Sequence, residues 1–104
     1  MSTRRILKFP VKGCGADTLI TCRRYAILDI QLQGTEMVCW IETDDSLPET
    51  TVELTSIGTG WNLPSELMDN YYYIKTVQDA DEFVWHFYER LEFKDFKPNG
   101  EEAL

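Results

Sequence analysis

The residue types that usually support catalysis or metal binding are sparse in this chain. His86 is the only histidine, so one chain cannot supply a two-histidine metal site or a pair of histidines for acid–base work. None of the four serines lies in the Gly-x-Ser-x-Gly frame of a nucleophile elbow. Cys14, Cys22 and Cys39 include no Cys-x-x-Cys pair, which argues against a zinc site or a disulfide framework. Eighteen acidic residues leave a carboxylate pair open, but no spacing singles one out. We expect a binding protein and not an enzyme.

The most informative stretch is Ile57-Gly58-Thr59-Gly60-Trp61. Glycines let backbone amides approach a ligand closely, and an exposed tryptophan can stack on a flat ring. The stretch lacks the lysine and the spacing of a phosphate-binding P-loop. It is therefore a candidate ligand loop. The structural alternative is a turn at the end of a strand that needs positive φ, with Trp61 covering the mouth of a barrel.

His86 lies in the aromatic run Phe83-Val84-Trp85-His86-Phe87-Tyr88. If this run is a strand, alternation places His86 on the face of Val84 and Tyr88, opposite Phe83, Trp85 and Phe87. There it could form a hydrogen bond with a polar ligand. A single histidine in such a strand is also common as a hydrogen-bonded core or interface residue, and that interpretation stays open.

The same alternation argument applies to Lys75, which lies on another predicted strand. Alternation places it on the face of Tyr71, Tyr73 and Val77, where a lysine could contact a phosphate while a tyrosine stacks on a base. The same arrangement is found on many solvated strand faces, so the residue types alone do not decide between the two.

Period-two alternation and β-branched residues predict seven short strands. Ala26, Leu28, Ile30 and Leu32 should face inward on the third strand, and Gly34-Thr35 should form a tight turn into the fourth. Ser65 can cap a short helical turn. The last strand has helical spacing as its alternative, but its aromatic and β-branched content favours a strand. The predicted strands cover 4–9, 18–22, 25–33, 37–41, 51–57, 71–78 and 83–88.

These elements predict a mainly β fold, a small antiparallel barrel or sandwich of about seven short strands with little helix. A chain of 104 residues fits one domain with its own core. We place that domain at 1–93 and a flexible C-terminal tail at 94–104, because proline, asparagine, glycine and glutamates accumulate there. The thirteen large aromatic residues are many for this length and suggest self-association.

The net charge of −8 is unevenly distributed. Residues 1–28 hold six basic residues against Asp17 alone, which gives +5, whereas residues 29–104 hold four basic and seventeen acidic residues, which gives −13. The overall acidity argues against a protein that binds duplex nucleic acid. A small anion needs only a few convergent cations, which the basic quarter could supply; the alternative is scattered solvated charge. No segment is long and apolar enough to predict a membrane span, and the cysteines fit a reducing cytoplasm.

Several sequence blocks in a fixed order resemble one family. They are Ile6-Leu7-Lys8-Phe9-Pro10, Ala26 to Gly34, Cys39-Trp40, Ile57-Gly58-Thr59-Gly60 with Pro64, Tyr73 to Gln78, and Phe83 to Glu89. Together they are similar to a family of small proteins of tailed bacteriophages, over roughly residues 4–89. Members of that family often have a histidine after Gly-Thr-Gly, where this chain has Trp61. That difference would shift ligand contact from hydrogen bonding toward stacking.

The resemblance implies a phage-encoded anti-defence protein of the infected bacterial cytoplasm. Such a protein would be a sponge, a homo-oligomer such as a tetramer that sequesters the cyclic nucleotide signals of bacterial immunity without a cofactor. Residue type and alternation then suggest the binding site for a small anionic nucleotide. Its predicted members are Arg5, Lys8 and Lys75 for phosphate, the amides of Gly58, Thr59 and Gly60, Trp61 and Tyr73 for stacking, and His86 for a hydrogen bond.

Two other classes of function remain open. The acidic surface could mimic nucleic acid and inhibit a basic host protein, in which case Asp44, Asp45 and Glu49 would matter. The aromatic face could instead pack against neighbouring subunits in a virion or an assembly intermediate. The sequence leaves open which ligand is bound, how many subunits assemble, and whether the pocket lies within one chain or between chains.

Overall fold

The computed structural model describes residues 3–91, which form seven β-strands and one short helix. The prediction of a mainly β fold with seven short strands is confirmed. The predicted tail, 94–104, and the end of the predicted domain lie outside the described residues. The elements are β1 (Arg4–Pro10), β2 (Asp17–Cys22), β3 (Arg24–Gln33), β4 (Glu36–Asp44), β5 (Thr50–Gly58), α1 (Ser65–Asn70), β6 (Tyr71–Gln78) and β7 (Val84–Arg90).

The strands form two antiparallel sheets, one in the order β1-β4-β3 and the other in the order β2-β5-β7-β6. The sheets pack face to face as a sandwich, and they do not close into the barrel that was the other expectation. Each sheet therefore keeps two edge strands. We call the side formed by β1 and β2 the open edge, and the side formed by β3 and β6 the bridged edge.

The core lies between the sheets and follows the alternation of the strands. Val52 and Leu54 on β5 are each only 1% exposed, as their alternation predicts. Both sheets contribute to one continuous cluster, whose fully buried members are typical of a sandwich interior. They include Ile30, Cys39, Ile41 and Phe87.

The expected inward face of β3 is partly wrong. Ile30 is fully buried and Leu32 packs against the core, but Leu28 is 47% exposed, and Ile27 packs against the core in its place. The reason is a pair of register shifts in the β3–β4 ladder, between Arg24 and Ala26 and between Ile27 and Asp29. Each extra residue moves the following side chains to the other face of the sheet.

The remaining elements largely match the predictions. Gly34 has φ +65° in the tight turn between β3 and β4, where glycine adopts a left-handed conformation without strain. β7 is a strand and not a helix, although it begins at Val84 and leaves Phe83 exposed. Ser65 is the first residue of α1 and does not cap it, because Pro64 holds the cap position and no side chain bonds there. No helix within residues 3–91 is long and apolar enough to cross a membrane.

Candidate ligand-binding site

A chain of hydrogen bonds runs across the outer face of the four-stranded sheet. The hydroxyl of Thr59 lies 2.9 Å from Nε2 of His86, and the hydroxyl of Thr76 lies 2.9 Å from Nδ1 of the same ring. The hydroxyl of Tyr73 lies 2.7 Å from that of Thr76. We call these four residues the His86 network. Its two ends, Thr59 and Tyr73, are both exposed, so a ligand can reach them from solvent.

Strand order explains why these residues meet. β7 lies between β5 and β6, so His86 has a neighbour on each side. His86 is in register with Thr76 of β6 and with Ile57 of β5. Ile57 lies two residues before Thr59. Residues directly opposite on antiparallel strands share a face, which brings these side chains within hydrogen-bond distance.

A bulge in β6 decides which residue joins the network. Tyr73 is opposite Tyr88 and Lys75 is opposite Phe87, so one extra residue lies between them. The bulge moves Lys75 to the inner face and puts Thr76 on the outer face beside Tyr73. The prediction that Lys75 shares a face with Tyr73 is therefore wrong. Lys75 instead forms an ion pair with Asp29 of the other sheet at 2.7 Å.

The His86 network can present a donor or an acceptor at its exposed ends. A neutral imidazole has one N–H donor and one acceptor nitrogen, and a hydroxyl can serve as either. Because both ring nitrogens face threonine hydroxyls, the hydrogen bonds can run in either direction along the chain. A hydroxyl beside a histidine also occurs in nucleophilic enzymes. Here the second nitrogen faces Thr76 and not a carboxylate that would stabilise an imidazolium.

A shallow concavity of about 290 Å³ adjoins the network. The ring of Tyr73 packs edge-on against Tyr88, with 5.8 Å between centroids, and Tyr88 continues into the concavity. None of the lining residues carries a permanent charge. They are Ile57, Gly58, Thr59, Gly60, Trp61, Leu63, His86 and Tyr88.

The Gly-Thr-Gly stretch forms a turn at the end of β5, and the tryptophan that follows it is both packed and partly exposed. Gly60 has φ +88°, which makes it a glycine turn. The Trp61 ring lies against the backbone, so that a Cβ at Gly58 would be 2.6 Å from the ring and one at Gly15 would be 2.8 Å from it. Trp61 also contacts Trp85 edge-on at 5.4 Å. It therefore covers one end of the sandwich, yet it remains 50% exposed and available for stacking.

The predicted phosphate-binding cations do not converge on this face. Lys75 lies at the bridged edge, where it pairs with Asp29 and lines a second concavity with Tyr73. Lys8 forms a hydrogen bond with Gln33 at 2.6 Å on the three-stranded sheet. Arg5 lines a separate cleft at the open edge. Six of the predicted residues lie together, whereas Lys75 lies near Tyr73 at the bridged edge and Arg5 and Lys8 lie elsewhere. The six are Gly58, Thr59, Gly60, Trp61, Tyr73 and His86.

Sequence reasoning missed a buried carboxylate. Glu89 is 1% exposed and bonds both Arg24 of β3 and the hydroxyl of Tyr72. Burial raises the pKa of Tyr72, and its hydrogen bond to Glu89 raises it further. The signal was present, because Glu89 continues the inward alternation of Trp85 and Phe87. This cluster connects the two sheets at the bridged edge.

The three cysteines and the acidic residues give no metal site within residues 3–91. No group of three histidine, cysteine or carboxylate side chains is placed to hold a metal ion there. Cys22 and Cys39 are buried and Cys14 is exposed. Burial raises the pKa of the Cys39 thiol to about 12, which keeps it protonated and unreactive at neutral pH.

The chain matches, over residues 2–96, the model of the family described as a domain of unknown function (DUF7352). It therefore belongs to that family, for which no activity is described. Neither a curated protein nor a solved structure matches the chain.

Proposed function

We propose that the chain is a non-catalytic protein that captures a nucleotide-like ligand on the outer face of its four-stranded sheet. The His86 network carries the proposal, since it offers exchangeable donors and acceptors beside aromatic rings and a concavity. The edge of a nucleobase presents donors and acceptors side by side, and its face stacks on tyrosine or tryptophan. Tyr73 and Trp61, both about half exposed, supply such rings.

In its specific form, the proposal is a sponge for cyclic nucleotides in the infected bacterial cytoplasm, as the resemblance to small phage proteins implies. A sponge needs affinity without turnover, on the scale of nanomolar binding or about −12 kcal/mol. Stacking of two bases at about 1–3 kcal/mol each covers only part of this. Contacts to the phosphates must supply the rest.

The phosphate contacts would come from a second copy of the chain. No residue that lines the concavity carries a permanent charge. The cations predicted for phosphate, Arg5, Lys8 and Lys75, lie elsewhere on the same copy. A homo-oligomer, such as the proposed tetramer, could bring cations of one copy to the His86 network of another. On this proposal, nanomolar binding requires the homo-oligomer.

The alternative of an acidic inhibitor that mimics nucleic acid has less support. Asp44 is only 5% exposed and accepts hydrogen bonds from Ser46 and Arg4. Asp44 ends β4 and its carboxylate bonds the turn that follows, so it contributes little to an acidic surface. Of the three residues named for this alternative, only Asp45 and Glu49 are exposed. No contact within residues 3–91 favours the virion component over either of these functions.

The test measures binding and ligand fate together. We would titrate the full chain with cyclic di-AMP, cyclic di-GMP and cyclic GMP–AMP by calorimetry, and record the complex by native mass spectrometry. We expect one of these to bind, and to be recovered unaltered after heat denaturation. Loss of a stacking ring in Tyr73→Ala should weaken binding by about 1–3 kcal/mol, or roughly fivefold to 150-fold.

A matched variant provides the control. Phe83 is 62% exposed just before β7, against 54% for Tyr73, and lines neither the concavity nor the bridged edge, so Phe83→Ala removes a similar ring at a different place. Its affinity should stay within about twofold of the parent chain, because a surface change away from the site has little effect. Recovery of a hydrolysed nucleotide, or equal losses in the two variants, would refute the proposal.

A further inference from the structure

The outer edge of β1 is unpaired by any strand within residues 3–91. β1 pairs only with β4, through seven consecutive residues from Arg4 to Pro10 without a register shift. All of its residues except Phe9 are exposed, and Ile6 is 61% exposed. A straight, uncovered edge of this length is a template for strand addition, and natural proteins usually blunt such edges with bulges or cover them.

The backbone groups that face the free edge can be identified by alternation. Asp45 N–H donates to the carbonyl of Thr3, and Val11 N–H donates to the carbonyl of Met37. In an antiparallel ladder, alternate residues bond the partner strand, so odd-numbered residues of β1 face β4. The N–H groups of Arg4, Ile6 and Lys8 consequently point away from the sheet. Pro10 has no N–H and ends this row of donors.

A cleft of about 320 Å³ lies beside the free edge, between β1 and β2. Leu7, Phe9 and Cys22 give it apolar walls. Arg5 and Arg23 also line the cleft, together with Asp45 and Glu49, so the charges inside the cleft balance. β2 keeps an unbroken register with β5 and has no partner on its other side within residues 3–91, so an added strand would lie between two straight edges.

We propose that β1 receives an extended acidic segment of a partner protein by strand addition. β1 carries three cations, Arg4, Arg5 and Lys8, and no carboxylate. Antiparallel pairing of two copies of β1 would place cations close to cations, which disfavours a second copy as the occupant. Lys8 lies on the outer face of β1, whereas Leu7 and Phe9 lie on the cleft side. A segment that alternates acidic and apolar residues therefore meets Lys8 with its carboxylates and the cleft with its apolar side chains.

The test uses a synthetic heptapeptide of alternating valine and glutamate, labelled for fluorescence anisotropy, and the full-length chain. We expect it to bind, and expect the same peptide with lysine in place of glutamate not to bind. Ile6→Pro removes the central free-edge donor and leaves the bonds to β4 in place, because those come from odd-numbered residues. Loss of this hydrogen bond should weaken binding about tenfold.

Ile6→Thr is the matched control, because it changes the side chain and keeps both the N–H group and a β-branched residue. It should bind within about threefold of the parent chain, a difference below 1 kcal/mol. Circular dichroism of both variants would verify the fold. The proposal is overturned if the glutamate peptide does not bind, if Ile6→Pro binds it unchanged, or if Ile6→Pro instead abolishes self-association. These outcomes do not depend on the His86 network, so nucleotide capture can fail while strand addition holds, and the reverse.

Discussion

The two edges of the sandwich differ in whether side chains join one sheet to the other. At the bridged edge, Arg24 of β3 reaches Glu89 and Tyr72, and Asp29 reaches Lys75. At the open edge, no such bond joins β1 to β2 within the described residues, and a cleft separates them. A sandwich of this size therefore uses charged side chains to hold one edge together and leaves its backbone exposed at the other.

The position of the bulges also distinguishes the bridged edge from the open edge. Both strands of the bridged edge are interrupted, with two register shifts in the β3–β4 ladder and one in the β6–β7 ladder. Both strands of the open edge pair with their neighbours without a shift. Bulges twist a strand and prevent further pairing, so only the open edge is suited to receive another strand. Both the charged side chains and the bulges therefore indicate that the bridged edge is closed and that the open edge is suited to further pairing.

The largest expected difference between the edges is in stability. Arg24→Met leaves Glu89 buried without its cation, which should lower the free energy of unfolding by about 3–5 kcal/mol. Arg5→Met, the matched change at the open edge, should alter it by less than about 0.5 kcal/mol. Urea denaturation measures both. The double variant Arg24→Met/Glu89→Leu should recover most of the loss, and equal effects of the two arginine changes would contradict the comparison.

Thiol accessibility should give a smaller but independent difference. In a Cys14→Ser chain, Cys22 lies on edge strand β2 and Cys39 on β4, the central strand of its sheet. Local opening of an edge costs less than opening of the core. We expect Cys22 to react with a disulfide reagent at least about tenfold faster than Cys39, which corresponds to about 1.4 kcal/mol. Mass spectrometry of partly modified protein distinguishes the two sites, and equal rates would mean that the open edge is as closed as the core.

The smallest effect concerns the more exposed ion pair of the bridged edge. The hydrogen bond from Lys75 lowers the pKa of Asp29, so this contribution is present above about pH 4, the unfolded pKa, and is lost as the pH falls through the lower folded pKa. Because both groups are about one-third exposed, Asp29→Asn should cost only about 0.5 kcal/mol at pH 7. Denaturation at pH 7 and at pH 3 tests this. A loss that is larger at pH 3 would contradict the assigned sign.

Much of the fold could be predicted from the sequence because it depends on local patterns. Alternation located all seven strands, and Gly34 marked the tight turn between β3 and β4. The aromatic and β-branched run before Arg90 favoured a strand over a helix, as observed. The Gly-Thr-Gly stretch, Tyr73 and His86 were assigned to one site from residue type. They lie together because β7 lies between β5 and β6, an order that no local pattern predicts.

The errors have a common physical cause. Leu28 and Lys75 were assigned to the wrong face because a bulge adds one residue and reverses every later side chain. Bulges carry no strong local signature, since they arise from how two strands fit together. The assignment of Arg5, Lys8 and Lys75 to one site failed for a related reason. Charge composition gives the number of cations, but it does not say on which edge or face each one lies.

The sequence by itself determined a sandwich-forming β pattern, an aromatic run with one histidine, and a basic first strand, because these depend on residue type and period. Tertiary structure alone decided that Thr76 completes the His86 network and that Glu89 and Asp29 join the sheets. It also decided that one edge of β1 has no partner strand within residues 3–91. Each of these depends on which strands are neighbours and on the register between them. Both are set by packing over long sequence distances, which no local pattern encodes.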